Sequence, residues 1–450
     1  MITAPATIRR LAQRYHDAGH QLYIVGGAVR DSLLNRKVSD YDFTTSAPPQ
    51  ITRSLFRRTI PTGIEHGTIT VIFEGKPYEI TTFRVDGKYR DFRRPEQVTF
   101  TSSLYEDLKR RDFTINAIAF DPLTGDIHDP FDGRSDLKAR LVRTVGYPQE
   151  RFAEDALRMI RAIRFTSILE FTLDSDTELA IPPAADTIVH VARERVRQEL
   201  EKLMESRRPS VGWHLLEQTG LLDRIIPELL EDRDPVYRDA GGPPVFDHLV
   251  AACDCAPQDD PVLRWSALFH DVAKPRTFGQ DERGIHFHNH DAVSAELAEE
   301  IMERLRFSND MIRLVGHLIR HHMFGYEKNW TDGAVRRFTA RVEAEHVSRL
   351  IALRRIDICG KTGRPPVLSD LDHLEERIRK LLRNKPPLTV GNLAVNGRDI
   401  MEELGVPGGP IIGIILRDLL QTVLDDPSMN TPEHLMPIVK NLYRERIQGK

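Results

Sequence analysis

The chain has 450 residues, 40% of them hydrophobic and 29% charged, which is enough for two to four domains with buried cores of their own. Its 63 Lys and Arg nearly balance 67 Asp and Glu, excluding a wholly basic RNA-coating protein but not a local basic groove. No apolar run is long enough to span a bilayer and the N-terminus lacks a signal-peptide core; three cysteines (Cys253, Cys255 and Cys359) are too few for a disulfide framework, so the expectation is a chain with no membrane partner in a reducing cytoplasm.

Residues 8–20 read as a helix stopped by Gly19, and the apolar run Leu22–Val25 as a strand leading into a Gly26-Gly27 turn. Strand composition returns at Tyr41–Thr45, Gly67–Phe73 and Tyr78–Phe83, with a helical pattern over 49–58. After about residue 150 strand signals fade, and 151–169, 192–205, 210–217, 245–256, 262–271, 291–305 and 309–321 read as helices. Proline-rich breaks fall at 182–183, 243–244, 364–366 and 386–387, and Asp232–Pro244 reads as a linker. The run Ile411–Leu416 is read as a buried helix, because Arg417 and Asp418 follow it. The pattern predicts an α+β protein: a mixed-sheet head over 1–140, then all-α regions over 141–232, 245–360 and 361–450.

Several groups of residues carry chemistry. Asp40 and Asp42 are two apart, so in a strand their carboxylates share a face and can hold Mg²⁺ together with substrate phosphates. The Gly26-Gly27 turn, entering a helix near Ala28, offers backbone N–H groups to a triphosphate. Glu79, in a strand-like stretch, is either a third metal carboxylate or an exposed strand residue. Arg110 and Arg111 can fork onto phosphate oxygens or simply line a solvated helix face, and Asn116 can reach a ribose hydroxyl or a phosphate.

On the helix expected over 151–169, Phe152, Ala156, Met159, Ile160 and Ile163 form an apolar stripe, with Arg151, Asp155 and Arg158 together beside it. Asp155 accepts hydrogen bonds and Arg158 donates them, so the pair can read a base edge; in a generic helix it would be a surface ion pair. Arg140, Arg143, Arg151, Arg158, Arg161 and Arg164 concentrate positive charge suited to RNA phosphates. Farther on, His248, His270-Asp271, His290, His321-His322 and Asp357 supply imidazoles and carboxylates of the kind that bind Mg²⁺ or a divalent transition metal.

The ordered segments GGAVRD…DYD, RRDFTINAIAF, DPFDG and RFAEDALRMIRAIRF resemble the class II tRNA nucleotidyltransferases and bacterial poly(A) polymerases. So do Gly63–Thr68 and Arg193–Leu200, and the resemblance runs over roughly residues 8–225. It implies a polymerase-beta-like nucleotidyltransferase head and a helical neck, with tRNA, CTP and ATP as partners and CCA added to the tRNA 3′ end. By the match, Asp40 and Asp42 are catalytic Mg²⁺ ligands, and Gly26, Gly27 and Arg30 face the triphosphate. Arg110, Arg111, Asp112 and Asn116 contact nucleotide and ribose, while Asp155 and Arg158 are the protein template for the base, joined as nucleotide-binding candidates by Arg161 and Arg164. Residues 84–95 resemble a loop used to complete the final A.

Residues 286–310 resemble the HD phosphohydrolase superfamily, as it occurs in bacterial CCA-adding enzymes. That match implies His248, His270, Asp271, His290, His322 and Asp357 as ligands, with His321 open as a substitute for His322. Val390–Leu424 resembles the same proteins' helical tail, expected to hold the tRNA body. Two rival readings stand: a poly(A) polymerase or an enzyme adding only A, and an HD phosphohydrolase whose N-terminal half merely binds RNA.

Overall fold

A computed structural model describes residues 3–38, 40–87, 89–90, 94–95, 98–364 and 369–448. The segment 84–95, read as a final-A loop, therefore lies partly outside the described residues, as do Pro365 and Pro366 of the break at 364–366. The chain divides into two compact units, Met1–Phe246 with Glu300–Asn309, and Asp247–Glu299 with Asp310–Lys450.

The first unit is built on a seven-stranded sheet. Helix α1 (Ala6–Asp17) buries Ile8, Leu11, Ala12 and Tyr15, and the chain turns at Gly19, whose φ of +77° favours glycine. The strands are β1 (Leu22–Val25), β2 (Asp42–Thr45), β3 (Thr59–Gly63), β4 (Thr68–Phe73), β5 (Lys76–Thr82), β6 (Ala119–Phe120) and β7 (Ile127–His128). Their order is β7-β6-β1-β2-β5-β4-β3, and every neighbouring pair is antiparallel except β2 with β5. Both faces of β1 are covered: Leu22 and Ile24 enter one apolar cluster, Tyr23 and Val25 the other. That explains why this strand reads as a continuous apolar run and not as an alternation. Beside it, Phe43 of β2, Ile80 of β5 and Ile69 of β4 lie in register across three strands, each almost fully buried.

Helix α2 (Gly27–Leu33) follows β1, and α3 (Leu104–Lys109) is capped by Ser103, whose side chain accepts from the Glu106 N–H. The single helix expected over 151–169 is two, α4 (Pro148–Glu154) and α5 (Leu157–Leu169). The break is Asp155, whose backbone is extended (φ −143°, ψ 104°) and whose carboxylate accepts from the Leu157 N–H at 3.1 Å. A short carboxylate side chain competes with the helical backbone for that donor, so the helix stops and restarts. Helix α6 (Arg193–Met204) packs on α5. The expected linker is tied down: the buried Asp232 carboxylate accepts from the N–H groups of Val245 and Phe246 at 2.7 and 2.9 Å.

The second unit is mainly helical, with α7 (Phe246–Cys255), α8 (Pro261–Phe269), α9 (His290–Arg304), α10 (Asn309–Arg320), α11 (Asp332–Val342) and α12 (Val347–Thr362) before the tail helices. A hairpin, Phe278–Asp281 with Gly284–Phe287, interrupts them where only helices were expected; four-residue strands are too short to announce themselves by period. The three cysteines also depart from expectation, because Cys255 and Cys359 form a disulfide and only Cys253 is a free, buried thiol. Their separation of 104 residues hid the pairing. The fold creates it by close helix packing: a Cβ on Gly360 would meet the Ala252 Cβ at 2.9 Å. Among the described residues, no helix is long and apolar enough to cross a membrane.

Ile80→Ala should destabilise the first unit by about 2–5 kcal/mol, the range for a buried aliphatic cut back to Ala. Urea unfolding followed by fluorescence would read it, and an unchanged midpoint would contradict the three-strand packing.

Candidate active site and metal centre

The sheet brings the first group of residues to one end of β1 and β2. Val25 pairs with Asp42, so the turn after β1 starts beside the carboxylate that opens β2. Gly26 holds φ +69°, and a Cβ there would lie 3.7 Å from Asp42 Oδ2 and 3.5 Å from Arg111 Nη1. Glu79 faces Asp42 directly across the parallel β2–β5 pair. Asp40 is not in the strand; it is exposed, two residues ahead of its first position. Asp40, Asp42, Thr70, Lys76 and Glu79 help line a cleft of about 700 Å³. Partial burial pushes the Asp42 pKa above the usual carboxylate range, the Asp40 charge adds to the rise and Arg111 opposes it. Two crowded carboxylates of this kind favour either a proton or a cation between them.

Behind this pair stands an arginine–carboxylate network. Asp107 is fully buried and accepts from Arg110 (2.7 and 3.0 Å), Arg111 (3.4 Å), the Thr44 hydroxyl (3.0 Å) and the Arg84 N–H (3.4 Å). Burial alone would raise its pKa, but Arg110 and Arg111 outweigh it and the net shift is downward. Arg110 and Arg111 therefore do not form a solvated helix face. Arg30 donates to Asn116 Oδ1 at 2.8 Å, Asn116 donates to Asp112 at 3.1 Å, and Arg161 donates to Asp112 at 2.5 and 2.9 Å. Arg161 and Arg164 also pair with Glu199, at 3.4 and 3.1 Å. Burial would lift Asp112, yet Arg161 and Asn116 bring it down to about 2. Burial likewise pushes the Arg164 guanidinium down to about 10, against the pull of Glu199.

Asp155 and Arg158 do not pair with each other, as one helix face would have allowed. Asp155, at the helix break, pairs with Arg195 at 2.8 Å. Arg158 is buried, pairs with Glu154 at 2.5 Å, and donates to the carbonyls of Arg151 and Arg110 at 3.2 and 3.1 Å. Sequence reasoning missed Glu154, Arg195, Glu199 and Asp107 as partners. Glu154 and Asp107 lie one turn from their arginines and were within reach of an i,i+3 or i,i+4 reading, whereas Arg195 and Glu199 gave no signal until α6 was packed on α5.

In the second unit, His248 (α7), His270 and Asp271 (after α8), His290 (first residue of α9), His322 (after α10) and Asp357 (α12) converge. They form two potential ligand groups sharing one residue: His248, His270, Asp271 and Asp357, and Asp271, His290 and His322. The Asp271 Oδ2 lies 3.6 and 3.3 Å from the Nε2 atoms of His248 and His270, and its Oδ1 lies 3.3 and 3.5 Å from those of His290 and His322. The Nδ1 atoms of His270, His290 and His322 lie 2.8, 2.8 and 2.7 Å from the carbonyls three residues upstream. Assigned as N–H donors there, these rings keep Nε2 lone pairs for the centre, the usual support behind a metal-bound histidine. Asp271 Oδ1 and His290 Nε2 are buried without a hydrogen bond, while Asp357 Oδ1 has the Lys361 ammonium at 2.8 Å; the two unsatisfied atoms fit a cation between them better than a self-contained polar core. Burial would lower His270, but Asp271 and Asp357 push it up to about 9, and both carboxylates are held below their usual range. His322, not His321, enters this cluster; His321 turns to His317, their ring centroids 4.8 Å apart.

Three family models match the chain: "Poly A polymerase head domain" over residues 22–143, "Probable RNA and SrmB- binding site of polymerase A" over 170–232, and "HD domain" over 243–360. The CCA-adding enzyme of Geobacillus stearothermophilus is 35% identical over 437 residues, covering 97% of this chain and 96% of the relative. The chain belongs to the CCA-adding enzyme family. It is a nucleotidyltransferase, and this family works with a divalent metal ion. The Anoxybacillus flavithermus CCA-adding enzyme is 37% identical over 417 residues, covering 93% of this chain and 92% of that one. The crystal structure of the Bacillus stearothermophilus CCA-adding enzyme in complex with CTP aligns over 99% of this chain and 98% of that one, with a TM-score of 0.73 and 30% identity. A Thermotoga maritima CCA-adding enzyme complexed with tRNA_CCA shares the fold at 21% identity and a TM-score of 0.56, over 97% and 96% of the two chains.

The depressed Asp112 pKa fixes a pH dependence. Its stabilisation is complete above the ordinary value of 3.8 and is lost as pH falls through about 2. Asp112→Asn should therefore cost roughly 2 kcal/mol at neutral pH and flatten the acid side of the stability curve between pH 4 and 2. Chemical denaturation repeated across that range would check it.

Proposed function

We propose that the head performs the family reaction through Asp40 and Asp42: CTP and ATP are the donors, the 3′ end of tRNA is the acceptor, CCA is added and pyrophosphate leaves. The observation that carries this is the meeting of Asp42, Gly26 and Arg111 at one strand end, with Glu79 across the sheet. Asp40 and Asp42, with Glu79 in reach, would hold Mg²⁺, which would supply a Lewis acid to activate the RNA 3′-hydroxyl and offset charge on the nucleotide phosphates. Gly26 and Gly27 let the backbone approach the triphosphate because no Cβ intervenes. Arg111 and Arg30 lie beside that turn, Arg30 steadied by Asn116, and offer positive charge to the developing pyrophosphate.

Base choice falls to Asp155 and Arg158. Cytosine and adenine both present an amine next to a ring acceptor, while uracil and guanine reverse that order. A carboxylate accepts from the amine and a guanidinium donates to the ring nitrogen, so one pair serves both permitted bases. Arg195 and Glu154 hold the pair in place before a nucleotide arrives. The acceptor RNA is gripped through phosphates and shape, and the cytoplasm is proposed as the compartment where tRNA and both nucleotides meet.

The test supplies tRNA lacking CCA with CTP and ATP separately and together. Incorporation of CTP, then of A, is expected; incorporation of ATP alone would favour the A-only or poly(A) reading. Asp42→Ala and Asp40→Ala should each lower incorporation by at least about 10²-fold, and an unaffected rate would remove the metal assignment.

A second reading concerns the HD centre. The two ligand groups sharing Asp271, with orphaned buried atoms, support a metal-dependent phosphohydrolase that takes Mg²⁺ or a divalent transition metal. His270→Ala should abolish hydrolysis of a model phosphodiester and spare CTP incorporation; loss of both would mean that the residue only supports the fold.

A further inference from the structure

Two of the HD-centre residues, His248 and Asp357, come from helices α7 and α12, which also meet at two points outside that centre. His248, Ala252 and Cys255 stand at i, i+4 and i+7 and so share one face of α7. His248 Nε2 lies 3.2 Å from Asp357 Oδ1. Ala252 packs so closely on Gly360 that a Cβ on the glycine would lie 2.9 Å from the Ala252 Cβ and 3.0 Å from its backbone nitrogen. Cys255 closes the row through its disulfide to Cys359. On α12 these partners fall within a single turn, so the disulfide is two residues from Asp357 and about two helical turns from His248.

The three cysteines differ in access. Cys255 is half-buried, Cys359 is 9% exposed and Cys253 is fully buried. A small thiol therefore approaches the bond from the Cys255 side. Cys253, two residues from Cys255 and so on another face of α7, lies with its Sγ 3.5 Å from the Arg264 carbonyl and does not compete for the bond. In the reducing compartment proposed for this chain a disulfide persists only while oxidant is supplied, and a reachable one is made and broken as that supply changes.

We propose that Cys255 and Cys359 form a reversible oxidation site whose state sets how firmly the HD centre binds a divalent ion, an inference that rests on the metal reading of that centre. Reduction by a low-molecular-weight thiol breaks the Cys255–Cys359 S–S bond. The two electrons and two protons come from two reductant thiols, which leave joined as their own disulfide; oxidation by a small-molecule disulfide runs the same exchange backwards. In the oxidised chain the bond pins α7 to α12 and holds the His248 ring beside Asp357. In the reduced chain that register depends on non-covalent contacts alone, so α7 opens more readily and the two ligands are less firmly placed.

The test uses the full chain with Asp40→Ala and Asp42→Ala, so that only the HD centre reports metal. It is reduced with dithiothreitol or oxidised with glutathione disulfide and then freed of reagent. Alkylation in denaturant should count three thiols in the reduced form and one, Cys253, in the oxidised form. Equilibrium dialysis against Mn²⁺ should show about 10-fold weaker binding by the reduced form. Cys255→Ser and Cys359→Ser should match the reduced form whatever the reagent, and Cys253→Ser should respond as the parent does. Hydrogen exchange of the α7 amides, measured without metal, should rise on reduction. Three thiols after oxidation, or equal Mn²⁺ affinity in the two forms, would overturn the proposal. Mn²⁺ held by neither form would instead sink the metal reading, and α7 exchange would then decide the clamp by itself, with unchanged exchange overturning it. The two redox states of one sequence carry the test even if a serine variant misfolds.

Discussion

A single buried carboxylate, Asp107, sets the geometry of the head. An ionised carboxylate out of water is costly unless its oxygens are paired and hydrogen-bonded. Asp107 meets that demand with two arginines, a threonine hydroxyl on β2 and a backbone N–H at Arg84. The same contacts fix where the arginines go. Arg111 reaches the side of Gly26 and Asp42, while the Arg110 carbonyl accepts from Arg158. The carboxylates proposed to bind metal and the pair proposed to read the base are thereby linked through one turn at the end of α3.

A second network carries the same logic into the neck. Asp112 is held ionised by Arg161 and Asn116; Asn116 accepts from Arg30, and Arg161 continues to Glu199 on α6. Positive and negative groups alternate along this path, so each buried charge has a partner. Pre-ordered groups of this kind serve catalysis because little reorganisation is left for the moment of reaction. Arg164 lies 4.0 Å from the Phe165 ring centroid and pairs with Glu199, which ties α5 to α6.

Much of this was legible in the chain. The apolar run Leu22–Val25 followed by two glycines gave a strand and turn, because burial on both faces and a positive φ leave marks in residue type. The residues expected to form the HD centre were readable as candidates, since few residue types bind hard or borderline cations, and the fold does bring them together. The helix break at Asp155 was not readable: Phe152, Ala156, Met159 and Ile160 stay buried on both sides of it, so the apolar period runs through unbroken. Long-range pairings left no local trace either. Arg195 with Asp155, and Cys255 with Cys359, depend on which helices pack, a property of the whole unit and not of any window of sequence.

The central claim is that Asp40 and Asp42 place a divalent ion on the nucleotide's phosphates while other residues hold the base. The most direct measurement is phosphorus NMR of CTP on the protein with Mn²⁺ in place of Mg²⁺. The account predicts strong broadening of the phosphate lines with the parent chain, and its loss in the Asp40→Ala/Asp42→Ala double variant while calorimetry still detects CTP binding. Broadening of equal strength in the double variant would contradict it.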